Sequence, residues 1–352
     1  MRELKQNLEV DLELIRTLKP RQIKTMKFSD DQARGIVRTY YLIQELRKTT
    51  NSQTRAFKVD ERPHMFVSFL ADEMEHLEKM CKHALDAYSL SQEIGIWARS
   101  IVGIGPVITS GLMSYLDITK APVASHIWRY AGLDPTQNWL GEAKARALYN
   151  EIVGPKGMAT PEQIATLAIK AGRNPQLLLE QMKTITAINK EGERISRDAN
   201  RQDQIGVLAL RPWNAELKKL CWHIGECFVK FQNHKDDVYG KFFVIRKAYE
   251  EEKNARGEYA SEAARKLASC DIRDTKTLEI YKSGKLPQGH LQSRAKRYAV
   301  KLFLSHYHAV AYELHYGEKP PKPFAIAILN HAHEIQIPHW PLDRSLPLPT
   351  ED

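Results

Sequence analysis

Residues 101–113 read IVGIGPVITSGLM, and their reading sets the fold class. A helix runs into the Gly103-Ile104-Gly105 turn, and a second helix starts at once with Pro106, whose fixed φ and missing N–H suit a first helical turn. Glycine tolerates positive φ and lets backbone approach a ligand without a Cβ in the way. Such a turn leaves unpaired amides at a helix start, where the partial positive charge favours an anion. Ile104 is expected to be buried between the two helices. The pattern is that of a helix-hairpin-helix element, which grips phosphates without reading bases. Thr109 and Ser110 are expected to add hydroxyl donors, and Arg99, Lys120 and Arg129 to add charge. The plainer alternative is that the two glycines only let neighbouring helices pack closely.

Moving outward, the flanks are helical too. In 65–90 the residues Phe66, Phe69, Leu70, Met74, Leu77, Met80 and Leu85 form one apolar stripe, with Glu73, Glu75 and Glu78 on the other face. Upstream, Ser29 is a candidate N-cap for a helix over 29–48, and 3–18 has helical spacing. The polar stretch 48–64 reads as a loop. Downstream, Thr160-Pro161-Glu162 starts a helix that Ala171-Gly172 ends, and Asn174-Pro175 starts another; the pair resembles a small helix-turn-helix. The charged run 189–206 reads as a mobile loop. Helical spacing returns over 213–254, and HLQSRAKRYAVKLFLSHYHAVAYELHYG forms an amphipathic helix stopped by Gly317. A short apolar segment at 324–332 precedes a proline-rich end without regular structure. No alternating strand pattern of useful length is evident. The expected fold is all-α: a multi-helix bundle containing a helix-hairpin-helix element, with an irregular C-terminus.

Lysine and arginine number 52 against 43 aspartates and glutamates, a net charge of +9, which favours a polyanionic partner. Cys81, Cys221, Cys227 and Cys270 form no CxxC pair, so no zinc ribbon or disulfide framework is suggested and a reducing compartment fits. The N-terminus lacks the apolar core of a secretory signal, and no apolar run reaches the ~20 residues of a bilayer span, so a cytoplasmic protein without membrane contact is expected. GxSxG, P-loop and dinucleotide fingerprints are absent from the sequence.

Together, IVGIGPVITSGLMSYLDI and IWRYAGLDPT (127–136) resemble the C-terminal domain of transposases of the RNA-guided insertion sequences, which pair a DEDD nuclease domain with a C-terminal catalytic serine. RPWNAELKKLCWHIGECFVKF (211–231) and RAKRYAVKLFLSHYHAVAYE (294–313) resemble that domain's later helices, with 141–205 as an insertion. The resemblance implies nucleic-acid binding, and it marks Arg294, Lys296, Arg297 and Lys301 as a basic helix facing phosphates. Two features depart from it. The RuvC-like strands with their four acids have no counterpart in 1–97, and Ser196, the candidate for the catalytic serine, lacks a Ser-Gly context. The implied protein is a catalytically silent relative in a mobile element or phage.

Seven of thirteen histidines lie in 290–339. His308 and His315 share a helical face, and His331 with His333 would converge on an extended segment, so these four are metal candidates without a hydrolase spacing such as HExxH. The expected division is 1–97, an N-terminal helical region; 98–140, the glycine turn and AGLDP segment; 141–210, an inserted helical hairpin and charged loop; and 211–352, a basic helical region. The leading expectation is a binder of DNA or structured RNA, without cofactor, in which the long amphipathic helices allow a homodimer. An active transposase-like enzyme using Mg²⁺ and Ser196 or acidic residues is the second reading. A structural or metal-binding assembly protein is the third.

Overall fold

A computed structural model describes residues 18–59, 62–137, 139–188, 192–321 and 335–342. All but Leu18 of the helix expected over 3–18, together with the 324–332 segment, His331 and His333, lies outside the described residues. The fold is all-α, with two short hairpins as the strands among the described residues. None of the described helices is long and apolar enough to cross a membrane. The chain divides into two units, residues 1–124 with 220–352, and residues 125–219. These boundaries assign the AGLDP segment and 211–219 to the second unit, together with the expected insertion.

The first unit starts with the short α1 (Pro20–Ile23), then α2 (Asp30–Ala56) and α3 (Met65–Ser89). Ser29 caps α2 in a reciprocal box with Gln32, as expected from its side chain. The expected loop over 48–64 is instead helix as far as Ala56. Thr50, Ser52 and Thr54 donate their hydroxyls to carbonyls four residues back, so their polar groups are satisfied inside the helix. A two-residue hairpin, β1 (Lys58–Val59) and β2 (Arg62–Pro63), links the helices. The stripe on α3 is only partly core: Ala84 and Leu85 are buried, whereas Phe66 and Phe69 are exposed. Glu78, expected on a solvated face, is paired with Arg47 of α2 and mostly covered.

Next come α4 (Glu93–Arg99), α5 (Pro106–Tyr115) and a 3-10 turn at Ile118–Lys120. After the second unit the first resumes within α11 (Ala215–Lys230), followed by α12 (Tyr239–Ala255), α13 (Ala260–Ser269), α14 (Thr275–Lys282) and α15 (Gln288–Tyr316). Gly317 ends α15 in the left-handed conformation its position demands. The core gathers aromatic rings from four helices. Trp97 lies parallel to Phe303 at 5.9 Å, and Tyr239 meets Phe228 at 5.0 Å and Phe303 edge-on at 5.3 Å.

The second unit holds α6 (Ala124–Tyr130), α7 (Gly141–Val153), α8 (Pro161–Ala171), α9 (Pro175–Lys183), the antiparallel hairpin β3 (Thr184–Ile188) and β4 (Arg194–Asp198), and α10 (Arg201–Ala209). Its core is Ala145, Tyr149, Ile164, Leu167, Leu178, Met182, Ile205 and Leu208. The run expected to be a loop at 189–206 therefore contains a strand and the start of a helix. Asn200 and Asp203 form a capping box at that start, and Arg197 grips Asp203 through both oxygens at 2.7 and 3.2 Å.

Candidate nucleic-acid interface

The glycine turn of the first unit is a packing device. Gly103 has φ +85°, and a Cβ there would lie 3.1 Å from the Phe231 ring and 3.3 Å from the Cys227 Cβ, so α11 presses on the turn. Gly105 is extended, and all ten residues of α5 are buried. Gly111 explains how: the Leu220 side chain occupies the space of its missing Cβ, 2.7 Å away. A helix made only of apolar and small residues is apolar on every side and can sink wholly into a core. Ile104 is 2% exposed, as expected. Thr109 and Ser110 are both 0% exposed, which removes them as donors to a polyanion; Ser110 instead donates to the Leu85 carbonyl at 2.8 Å.

The expected basic helix is largely neutralised from within. Arg294 bonds Glu250 and Glu262, each at 2.7 Å, and lies over the Tyr259 ring. Lys296 pairs with Glu226, and Lys301 is half-buried. Arg297 has no hydrogen bond or ion pair among the described residues, and burial, with Arg294 close by, holds its pKa below the usual guanidinium value. Lys120 is exposed and paired with Asp117 at 3.0 Å. These cations do not form one open phosphate-binding face, because α11, α12 and α13 bring carboxylates to Arg294 and Lys296. The metal candidates also separate: His308 is buried against the Ala121 carbonyl at 2.7 Å, while His315 is exposed. No group of three potential ligands gathers among the described residues. Ser196 is exposed on β4, opposite Thr186 rather than an acid or a base.

The second unit does concentrate polar groups. Within AGLDP, Gly132 adopts φ +64° and makes room for Trp213, whose ring would lie 2.7 Å from a Cβ. Asp134 accepts the backbone and hydroxyl of Thr136 at 2.9 and 2.7 Å and faces Arg129 at 3.5 Å. Asn214 returns to this segment, its amide bonding the Tyr130 carbonyl at 2.8 Å and its side chain the Tyr130 hydroxyl at 2.9 Å. These contacts hold one wall of an open cleft of about 740 Å³. The other wall is the turn Gly172–Asn174 and the start of α9.

That turn is built as the sequence predicts. Thr160 caps α8 in a box with Gln163, Gly172 is left-handed, and Asn174 caps α9 through the Leu177 amide. Arg173 locks the turn to the end of α10 by donating to the carbonyls of Val207 (2.8 Å) and Leu210. Its burial lowers its pKa, and its Nε has no partner. The Gln137 Oε1 on the opposite wall is likewise buried without a partner. Arg129 is half-exposed, and Arg211 is exposed and stacked on Trp139 at 4.5 Å. Glu180 is the single acidic residue lining the cleft. Sequence reasoning named Arg129 but missed Arg173, Arg211 and Trp213, which lie up to 84 residues from it in the chain. Their proximity depends on the return of the chain at 210–214, which no local spacing announces. No protein family, curated protein or solved structure matches the chain.

Proposed function

We propose that this protein binds nucleic acid, DNA foremost, by its phosphate backbone, and that the second unit supplies the contact. The observation that carries the reading is the cleft, where exposed Arg129 and Arg211 stand beside the carbonyl-bound Arg173, Glu180 is the one acid among the lining residues, and Asp134 faces Arg129 at 3.5 Å. Exposed guanidinium groups are the usual partners of phosphate oxygens. The net charge of +9 acts in the same direction at long range. The protein is a non-catalytic relative of the C-terminal domain of the RNA-guided transposases, on the strength of the glycine turn and the AGLDP segment.

Fluorescence anisotropy on single-stranded DNA, duplex DNA and hairpin RNA over a salt series tests this. Affinity should fall steeply with salt, because each neutralised phosphate releases condensed counterions. Arg129→Ala/Arg211→Ala should flatten the dependence by about two phosphate contacts. Absence of binding at low salt would end the reading. Incubation with plasmid DNA and Mg²⁺ should give neither nicking nor joining; strand cleavage lost in Ser196→Ala would make the protein an enzyme instead.

A further inference from the structure

We infer that the second unit reads the sequence of duplex DNA, with α9 seated in the major groove and the β3–β4 hairpin lying along the backbone beside it. The inference rests on the nucleic-acid reading above and names its substrate. It begins with topology. Helices α8 and α9 are joined by three residues with a left-handed glycine, the connection of a helix-turn-helix. The hairpin follows α9 without a break, Thr184 after Lys183, and is closed at its base by the Ala199 amide on the Lys183 carbonyl at 2.8 Å. The start of the hairpin is thus tied directly to the end of α9.

The second step is the chemistry of the open face. Leu178 and Met182 are 1% exposed and anchor α9. Gln176, Leu177, Glu180 and Gln181 form its exposed face, and the three polar side chains have no hydrogen-bond partner among the described residues. A glutamine amide matches the adenine N7 and N6 pair, a carboxylate accepts from cytosine N4, and an aliphatic group meets a thymine methyl. A face built only to hold phosphates would be basic; this one has no cation between its ends. The cations sit at its margins instead: Arg129 and Arg211 line the same cleft as α9, Lys183 ends the helix, and Arg194 is exposed on β4. Base-reading groups flanked by phosphate anchors are the division of labour of a sequence-reading helix. At nine residues α9 spans about 13 Å, enough to face about four base pairs. The deep, narrow major groove of A-form RNA would exclude it, which favours DNA.

The test is selection of a random duplex pool by the full-length protein, followed by anisotropy on the selected and a scrambled duplex. A short motif should emerge, bound by wild type more than tenfold better than the scramble. Gln176→Ala/Gln181→Ala, folded by circular dichroism, should lose that preference while binding the scramble within twofold of wild type. Arg194→Ala should weaken both duplexes alike. Salt-dependent binding with no enriched motif, a preference kept by the glutamine variant, or stronger binding to hairpin RNA would overturn the reading helix and leave the phosphate grip standing. Binding to no nucleic acid would overturn both.

Discussion

The Tyr239 hydroxyl and the Nδ1 of His306 face each other at 2.8 Å in the core of the first unit. Burial drives the Tyr239 pKa well above its usual value, so the phenol keeps its proton, and with the His306 ring N–H directed to the Ile335 backbone, Nδ1 is left to accept the hydroxyl. Burial likewise holds His306 down at about 4, against a backbone bond to Ile335 that works the other way. The unfolded chain, with an ordinary histidine near 6.5, therefore binds a proton at higher pH than the folded one. The stability contribution is full above pH 6.5 and is lost as pH falls from 6.5 toward 4. Urea melts across that window should show a decline of about 3 kcal/mol from this group. His306→Leu should flatten the decline.

Gly103→Val tests whether the glycine turn holds the core. Valine at φ +85°, pressed on Phe231 and Cys227, should cost about 2–4 kcal/mol from backbone and overpacking strain. The unfolding midpoint of the first unit should fall. Nucleic-acid affinity, measured where the variant is still folded, should stay within twofold of wild type, and a selective loss of binding would return the turn to the interface.

Gln204, 3% exposed, joins four parts of the second unit. Its Oε1 accepts the Tyr149 hydroxyl and the Ala159 amide, and its Nε2 donates to the Met182 carbonyl at 3.3 Å. Gln204→Leu removes the acceptor of the Tyr149 hydroxyl proton and the donor to the Met182 carbonyl, while the Ala159 amide keeps the Tyr149 oxygen at 3.0 Å, so the cost is about 1–3 kcal/mol for each of the two groups left unpaired. Calorimetry should show the second unit melting earlier, and a melting profile identical to wild type would show that the network contributes nothing.

Arg294→Ala separates charge from stability. Glu250 is 1% exposed; burial favours its protonation, but bonds from Tyr259, Arg294 and Arg246 outweigh that and keep its pKa below normal. Losing Arg294 leaves the carboxylate with two partners, and the fold should weaken by about 2–4 kcal/mol. DNA affinity should be unchanged, because the guanidinium is already committed. A tenfold affinity loss without loss of stability would show that α15 meets the ligand.

Local chemistry made much of this molecule readable from its sequence. Ser29, Thr160 and Asn174 are helix starts because their side-chain oxygens satisfy amides within one turn, and Gly317 is a helix stop because φ +73° suits glycine. These effects span three or four residues, so the all-α class and these helix limits followed from the sequence itself. The 184–198 hairpin escaped because its strands are five residues each and largely exposed, leaving little alternation to detect. The fate of charged and small residues was set by distant chain. Arg294 reads as a free cation until Glu250 and Glu262 arrive beside it, Ser110 reads as a surface donor until Leu220 and Leu85 close over α5, and Arg211 joins Arg129 only when the chain returns to the second unit's cleft. Helix type depends on neighbours along the chain, whereas burial and ion pairing depend on neighbours in space, and those the tertiary structure alone decides.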